Sequence, residues 1–375
     1  MILAKRQIRW ICLLLVLLCY TLPSLSYASL NHLDYTGYVE GSYNYLVKNH
    51  QFTSGINNRF NDLTQNGFTL QQAAVTVSTL PKEGFGGLLN VMVGRDANSL
   101  APMGWNPYYG SQMLAMVVPQ AYLQYASGPY TLIGGVFETL VGYENFNPTL
   151  DSNFSRSILD GYAEPGVLMG VRGFYVVTDQ LKLNAGLNNG WSGFRDRGRG
   201  KTLEAGAIYQ FNPALKLVLQ AVTGTQRLTK HLVSGPTGRR DLVNLYGNWQ
   251  VTDALMIGAS GDYAGQSKAL AANGDIESVW WDGISGYANY QFTDMWHGGL
   301  RGEWYNDQNG YTTGIRQTWH EITLTCGYRP RKDLELRAET RRDYSHKRAF
   351  MNTTGAGAAH YQQSLALEAL YRFGV

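Results

Sequence analysis

Polar and apolar residues alternate one by one over long stretches of this chain. From Asp34 to Tyr45, the residues Tyr35, Gly37, Val39, Gly41, Tyr43 and Tyr45 share one parity. Asp34, Thr36, Glu40, Ser42 and Asn44 share the other, with Tyr38 among them. Successive side chains of an extended chain point to opposite faces, so the pattern predicts a strand that is apolar on one side only. The split returns at 181–190, where Leu181, Leu183, Ala185 and Leu187 oppose Lys182, Asn184 and Asn188. It returns again at 334–341, where Leu334, Leu336, Ala338 and Thr340 oppose Glu335, Arg337, Glu339 and Arg341. Beyond the N-terminal segment the 3.6-residue period of an amphipathic helix is almost absent. No apolar run there approaches the roughly 20 residues that cross a bilayer as a helix.

Turn signals set the connectivity. Short polar breaks fall at Lys82-Glu83, Ser127-Gly128-Pro129, Thr178-Asp179, Asn212-Pro213, Thr252-Asp253, Thr293-Asp294 and Lys332-Asp333. Longer polar stretches lie at 48–66, 97–113, 142–162, 192–201, 225–239, 266–277, 306–316 and 345–359. Seven short turns alternating with eight longer loops predict sixteen strands, with fourteen as the alternative count. The predicted fold class is all-β: a transmembrane antiparallel up-and-down β-barrel with short periplasmic turns and longer extracellular loops. Trp296 and Trp304 share the apolar parity of one strand. At about 3.3 Å per residue and a tilt near 40°, they stand roughly 20 Å apart in height, close to the spacing of two aromatic girdles. Tyr290/Phe292 and Tyr371/Phe373 repeat such aromatic ends. A closed barrel has no edge strand to host Pro119, which marks a bulge or the true start of its strand.

The N-terminus adds a compartment. Lys5, Arg6 and Arg9 precede an apolar run from Trp10 to Leu22, and Ser26-Tyr27-Ala28 supplies small residues for cleavage before Ser29. Residues 1–28 read as a signal peptide and 29–375 as the barrel. The chain holds 31 Lys+Arg and 28 Asp+Glu; three bases and no acid lie in the leader, so the remainder balances at 28 against 28. That balance gives no argument for nucleic acid. Cys12 and Cys19 leave with the leader and Cys326 stands alone, which excludes an internal disulfide and a cysteine-rich metal site. Leu365, Leu367, Ala369, Tyr371 and Phe373 alternate almost to the end, resembling the C-terminal signal read by the barrel-assembly machinery.

The stretch from Gly134 to Gly173 carries a family resemblance. Gly135-Val136-Phe137, Gly142-Tyr143-Glu144, Asn153-Phe154-Ser155-Arg156-Ser157, Pro165 and Gly170-Val171 resemble the motifs of the OmpL-like β-barrel porin family. Val136 stands where that family usually has Lys, and Leu168 where it often has His. Weaker matches are Gly37-Tyr38-Val39, Phe68 to Ala73 and Asn189-Gly190-Trp191, so the resemblance runs along roughly the first half. It implies an outer-membrane porin, and likeness to sixteen-stranded porins implies a homotrimer and a third long loop folded inward as a constriction.

Several groups are candidates for function. Glu144, Asp151 and Arg156 would place charges of the third loop at the constriction, facing arginines of the opposite wall. Arg301, Glu303, Glu335, Arg337, Glu339, Arg341, Glu368 and Arg372 fall on lumen parity near the C-terminus, beside Glu40 once the barrel closes. They form either a self-neutralising ladder or a charged pore wall that sorts solutes by sign. Arg195, Arg197, Arg199 and Lys201, then Arg227, Lys230, Arg239 and Arg240, make two basic outer loops suited to lipopolysaccharide phosphates. Seven histidines include no i,i+4 pair for a metal, and the residues call for no cofactor. The expected function is passive diffusion of small hydrophilic solutes. The alternatives are a closed barrel serving as adhesin or structural anchor, and an outer-membrane lipase using His320 on the lipid face.

Overall fold

The computed structural model describes residues 33–48, 59–62, 66–100, 114–192, 200–227, 237–351 and 357–374. The strands of the first half are β1 (Asp34–Lys48), β2 (Gly67–Thr79), β3 (Gly84–Gly94), β4 (Ala115–Ser127), β5 (Tyr130–Glu138), β6 (Val167–Val176), β7 (Leu181–Asn188) and β8 (Thr202–Asn212). Those of the second half are β9 (Leu215–Arg227), β10 (Thr237–Gln250), β11 (Leu255–Leu270), β12 (Ile276–Gln291), β13 (Trp296–Asp307), β14 (Gln317–Arg331) and β15 (Leu334–Ser345). The short pair β16 (Phe350–Met351) and β17 (Gly357–Ala359) follows, then β18 (Tyr361–Phe373). Apart from β16 and β17, which pair with each other, the strands form one closed antiparallel ring in which β18 joins β15 to β1. Sixteen strands make the wall, and the count of fourteen is excluded. Closure leaves no edge, so the ladder satisfies backbone N–H and C=O groups that lipid cannot.

Alternation decides which face looks where. Tyr35, Val39 and Tyr45 of β1 lie on the outer wall, while Glu40, Ser42 and Asn44 are enclosed in the lumen. In β15, Leu336 faces out and Glu335, Arg337, Glu339 and Arg341 face in. Pro119 sits inside β4 where the register with β3 shifts, as the bulge reading requires. All seven short turns join neighbouring strands. Several share one chemistry: Thr178, Thr252 and Thr293 accept, through Oγ1, the amides of Leu181, Leu255 and Trp296 at 3.0, 3.0 and 3.1 Å. Asn212 does the same for Leu215 at 3.0 Å. Such local bonds favour turns over strand continuation.

The wall is uneven in height. β11 and β12 have 16 residues each, whereas β5 to β8 have 9, 10, 8 and 11. The loops expected at 225–239 and 266–277 are therefore corrected: β9 pairs with β10 through Arg227↔Thr237, and β11 with β12 through Leu270↔Ile276. Above the membrane a sheet is polar on both faces, which reads as loop in a sequence. The third long connection runs over 139–166, longer than the expected 142–162. It carries a 3-10 turn, Pro148–Leu150, and a π-helical turn, Leu159–Ala163.

Candidate functional site

Residues 139–166 enter the lumen and seat mainly against β10 to β15, while Phe146 packs against the cluster of Tyr38, Ala74, Met92 and Leu370 on the other side. Gly142 has φ +94, and a Cβ there would strike the Glu164 carboxylate, so the neck of the loop requires glycine. Its N–H donates to Asn244 Oδ1 on β10 at 3.1 Å. The seat is cut by glycines on the inner faces of β11, β12 and β13. A Cβ at Gly258, Gly283 or Gly299 would meet the Tyr143 ring at 2.6 Å, Leu159 at 2.9 Å or Ser152 at 3.3 Å. Tyr143 stacks there on Tyr287, ring centroids 4.3 Å apart.

Charge then locks the loop. Arg301, fully enclosed, donates to Glu144 at 2.7 Å, to Glu321 at 2.9 Å and to the Ser155 carbonyl. Glu339 accepts the amides of Phe154 and Ser155 at 2.7 and 3.1 Å, and Glu303 those of Ile158 and Leu159 at 2.7 and 3.3 Å. Arg337 donates to the Asp151 carbonyl at 2.8 Å and pairs with Glu335 at 2.6 Å and Glu368 at 3.2 Å. Arg341 pairs with Asp343 at 2.7 Å and reaches the Arg156 carbonyl, while Arg372 pairs with Glu335 at 2.6 Å. Asp151 and Arg156 pair within the loop, where Asp151 also accepts the Asn145 amide at 3.1 Å.

The structure thus brings the two predicted groups together and corrects their relation. Glu144 touches Arg301 directly instead of facing it across an opening, because the loop is long enough to reach the far wall. Most wall charges are spent on each other or on loop backbone. Below the loop, toward the short turns, a cavity of about 220 Å³ lies between Glu144, Asp151, Lys216, Tyr246, Asn248 and Asn289. Toward the other end, Ile158, Leu159 and Ala163 pack with Trp191, Trp281, Tyr305, Trp319 and Phe350 inside the barrel. Burial pushes the Asp160 carboxyl of the loop up to about 7, with Glu144 adding to the effect. Burial, then Asp262, raises Glu164 well above the usual carboxylate range.

The remaining side of the lumen is built on β1 and β2. The register shifts opposite Glu40 and Gly41, adding Gln71 to β2, so that Gln71 and Gln72 both turn inward. Tyr38 donates to Gln72 Oε1 at 2.8 Å, Gln72 Nε2 to Asp96 Oδ2 at 3.0 Å, and Gln71 Nε2 to Ser42 Oγ at 2.9 Å. Arg59, from the first long loop, pairs with Asp62 and with Asp343 at 2.9 Å, and donates to Ser364 Oγ at 2.9 Å. Sequence reading missed Arg59, Asp343 and the seat glycines. A glycine inside a strand does mark close backbone approach, and that signal was available at Gly258, Gly283 and Gly299.

At the outer loops, Arg195, Arg197, Arg199 and Lys230 lie outside the described residues. Lys201 is exposed and donates to Asn189 Oδ1 at 2.9 Å. Arg239 is exposed and paired with Asp241 at 2.7 Å. Arg240 is corrected: strand parity turns it inward, where Trp191 and Tyr311 hold its guanidinium at 5.0 and 5.4 Å from their ring centres.

A closed sixteen-stranded ring with an apolar outer wall, a polar lumen and a loop folded into it defines an outer-membrane porin channel. The chain belongs to the putative β-barrel porin-2, OmpL-like family, whose model matches residues 32–373. The family likeness therefore spans the whole barrel and not only its first half. The fold is shared with the outer-membrane channel DcaP of Acinetobacter baumannii, at TM-score 0.64 and 13% identity, covering 91% of this chain and 97% of that one. It is shared with an anion-selective porin from Comamonas acidovorans at TM-score 0.60 and 11% identity, covering 91% and 99%. It is shared also with the trimer form of OmpT, an outer-membrane protein of Vibrio cholerae, at 0.58 and 13%, covering 91% and 99%. No curated protein matches the chain in sequence.

Proposed function

We propose that this porin is a passive diffusion pore for small hydrophilic solutes and ions, without enzymatic activity, cofactor or energy source. The observation that carries the reading is the seated loop 139–166, which narrows the lumen and is held there through Glu144, Glu303 and Glu339. Its Asp151 and Arg156 hold the loop's own shape. Glu40, Arg301, Glu335, Arg337, Arg341, Glu368 and Arg372 form the wall it rests on or faces. The protein is made with a leader removed before Ser29 and assembles as a homotrimer; the shared fold of OmpT, described in a trimer form, supports the oligomer. Lys201, with Arg195, Arg197 and Arg199, contacts lipopolysaccharide phosphates, and the barrel-assembly machinery inserts the chain.

The aromatic packing of Trp281, Tyr305, Trp319 and Phe350 inside the lumen favours a second reading, a closed barrel acting as an adhesin or anchor. Against the lipase reading stand the cross-strand neighbours of His320, Trp304 and Tyr344, which are the surroundings of a girdle residue. Refolded residues 29–375 in a planar bilayer distinguish these. Stable conductance steps are the expected result. Silence from a correctly folded barrel would transfer the assignment to the closed-barrel reading.

A further inference from the structure

On the periplasmic side of the seated loop, not every polar group is spent. One rung of the wall carries Lys216, Asn248, Gly258 and Tyr287 across the neighbouring strands β9 to β12. Lys216 is the second residue of β9, so the rung lies close to the short turns. Its parity is that of Val218 and Gln220, which face inward, while Leu217 and Leu219 face lipid. Tyr246 stands two residues from Asn248 on the same face of β10, and Asn289 faces Met256 in register. The bare backbone at Gly258 leaves room for the Tyr143 ring. Between this rung and the loop lies the cavity of about 220 Å³.

The polar groups around the cavity are of two kinds. Its acids are answered: Glu144 accepts from Arg301 at 2.7 Å, from Tyr287 at 3.3 Å and from the Ser157 amide at 2.8 Å. Asp151 pairs with Arg156 and accepts the Asn145 amide at 3.1 Å. The rest are free. Among the described residues, nothing is bonded to the Lys216 ammonium, to the Tyr143 and Tyr246 hydroxyls or to the side-chain amides of Asn248 and Asn289. Asn289 Oδ1 is enclosed and still has no donor. One unpaired cation therefore stands beside two hydroxyls and two amides, groups that both donate and accept. The stacked rings of Tyr143 and Tyr287 add an apolar face.

A solute complementary to this set has one negative end, several hydroxyl groups and a short carbon frame. A cationic or zwitterionic solute finds no free carboxylate there. The volume is also below the roughly 300 Å³ at which sites for drug-sized ligands begin. Deepening the pore reading above and resting on it, we infer that the cavity binds a small hydroxylated carboxylate, a sugar acid. Lys216 takes the carboxylate, and Tyr246, Asn248 and Asn289 take the hydroxyls.

The test is titration calorimetry of refolded residues 29–375 in detergent micelles, with sodium gluconate and with glucose at one ionic strength. Heat-modifiable electrophoretic mobility confirms folding of each variant. Gluconate is expected to bind saturably and about tenfold more tightly than glucose, the weight of one charge-assisted bond. Lys216→Gln is expected to weaken gluconate by about tenfold and to change glucose far less. Tyr246→Phe is expected to weaken both by about threefold. Lys182 lies at the same end of the lumen on β7, over the Phe174 ring and outside the cavity, and Lys182→Gln is expected to change neither. Absence of gluconate binding, equal affinity for glucose, or equal losses in Lys182→Gln and Lys216→Gln would overturn the inference. Planar-bilayer conductance separates it from the pore reading. Conductance without gluconate binding removes the site and leaves the pore; binding without conductance removes the pore and leaves the site.

Discussion

On the inner wall from β13 to β15, the carboxylates Glu303, Glu321 and Glu339 each have named donors, and Arg301 bridges wall and loop with four partners. On the inner wall of β1 and β2, Glu40 and Gln71 hold oxygens that nothing in the described residues answers. Both walls obey the same alternation and use similar residue types. The difference lies in what covers them. The first wall is a seat whose charges have been spent on holding a segment of the same chain. The second is bounded by side chains with lone pairs to spare. Fixed charge in a pore is therefore no measure of charge available to a solute, since a carboxylate capped by two amides is already occupied.

That contrast can be broken most forcefully at Arg301. Arg301→Ala removes the cation shared by Glu144 and Glu321, and should cost about 3–5 kcal/mol because the buried carboxylates are left uncompensated. Guanidinium unfolding in detergent micelles measures it, and a loss near zero would mean the loop is not held there. The same variant should raise single-channel conductance as the loop leaves its seat.

A change of pH sharpens the comparison at the other wall. Burial pushes the Asp96 carboxyl up to about 7, against the pull of Gln72 and Arg156, with Asp62 adding to the rise and Arg95 opposing it. Above that value the group is charged and below it neutral. The folded barrel favours the neutral form, so stability toward guanidinium should rise from pH 8 to pH 6, and Asp96→Asn should flatten this step. A stability that falls on acidification across that window would contradict the raised value. The smallest effect belongs to the outer rim. Arg239 and Asp241 are exposed by 71% and 49%, so breaking their pair should change stability by less than about 1 kcal/mol and leave selectivity alone.

The wall was legible in the sequence because period-two alternation and turn chemistry are local: Thr252-Asp253 announces a hairpin without reference to anything distant. Charges on lumen parity were legible for the same reason, as Glu335, Arg337, Glu339 and Arg341 show. What they face was not. Arg59 meets Asp343 across most of the chain, and Glu339 meets the Phe154 amide, contacts that exist only after closure. Parity assigns a side chain to the lumen without saying whether water or a loop fills the space before it. The sheet extension at 266–270 was hidden for a related reason, since strands that rise above lipid lose their apolar face.

The ring closes where Gly37 meets Phe373 and Tyr45 meets Leu365, strand against strand from opposite ends of the chain. Every other seam joins strands that follow one another along the chain, except that β15 and β18 meet across the small β16–β17 pair. This seam must wait for the last residues to arrive. Until then the growing sheet has two open edges, each a template for pairing with other chains. β18 is therefore the strand that removes both open edges at once, by pairing with β15 on one side and β1 on the other.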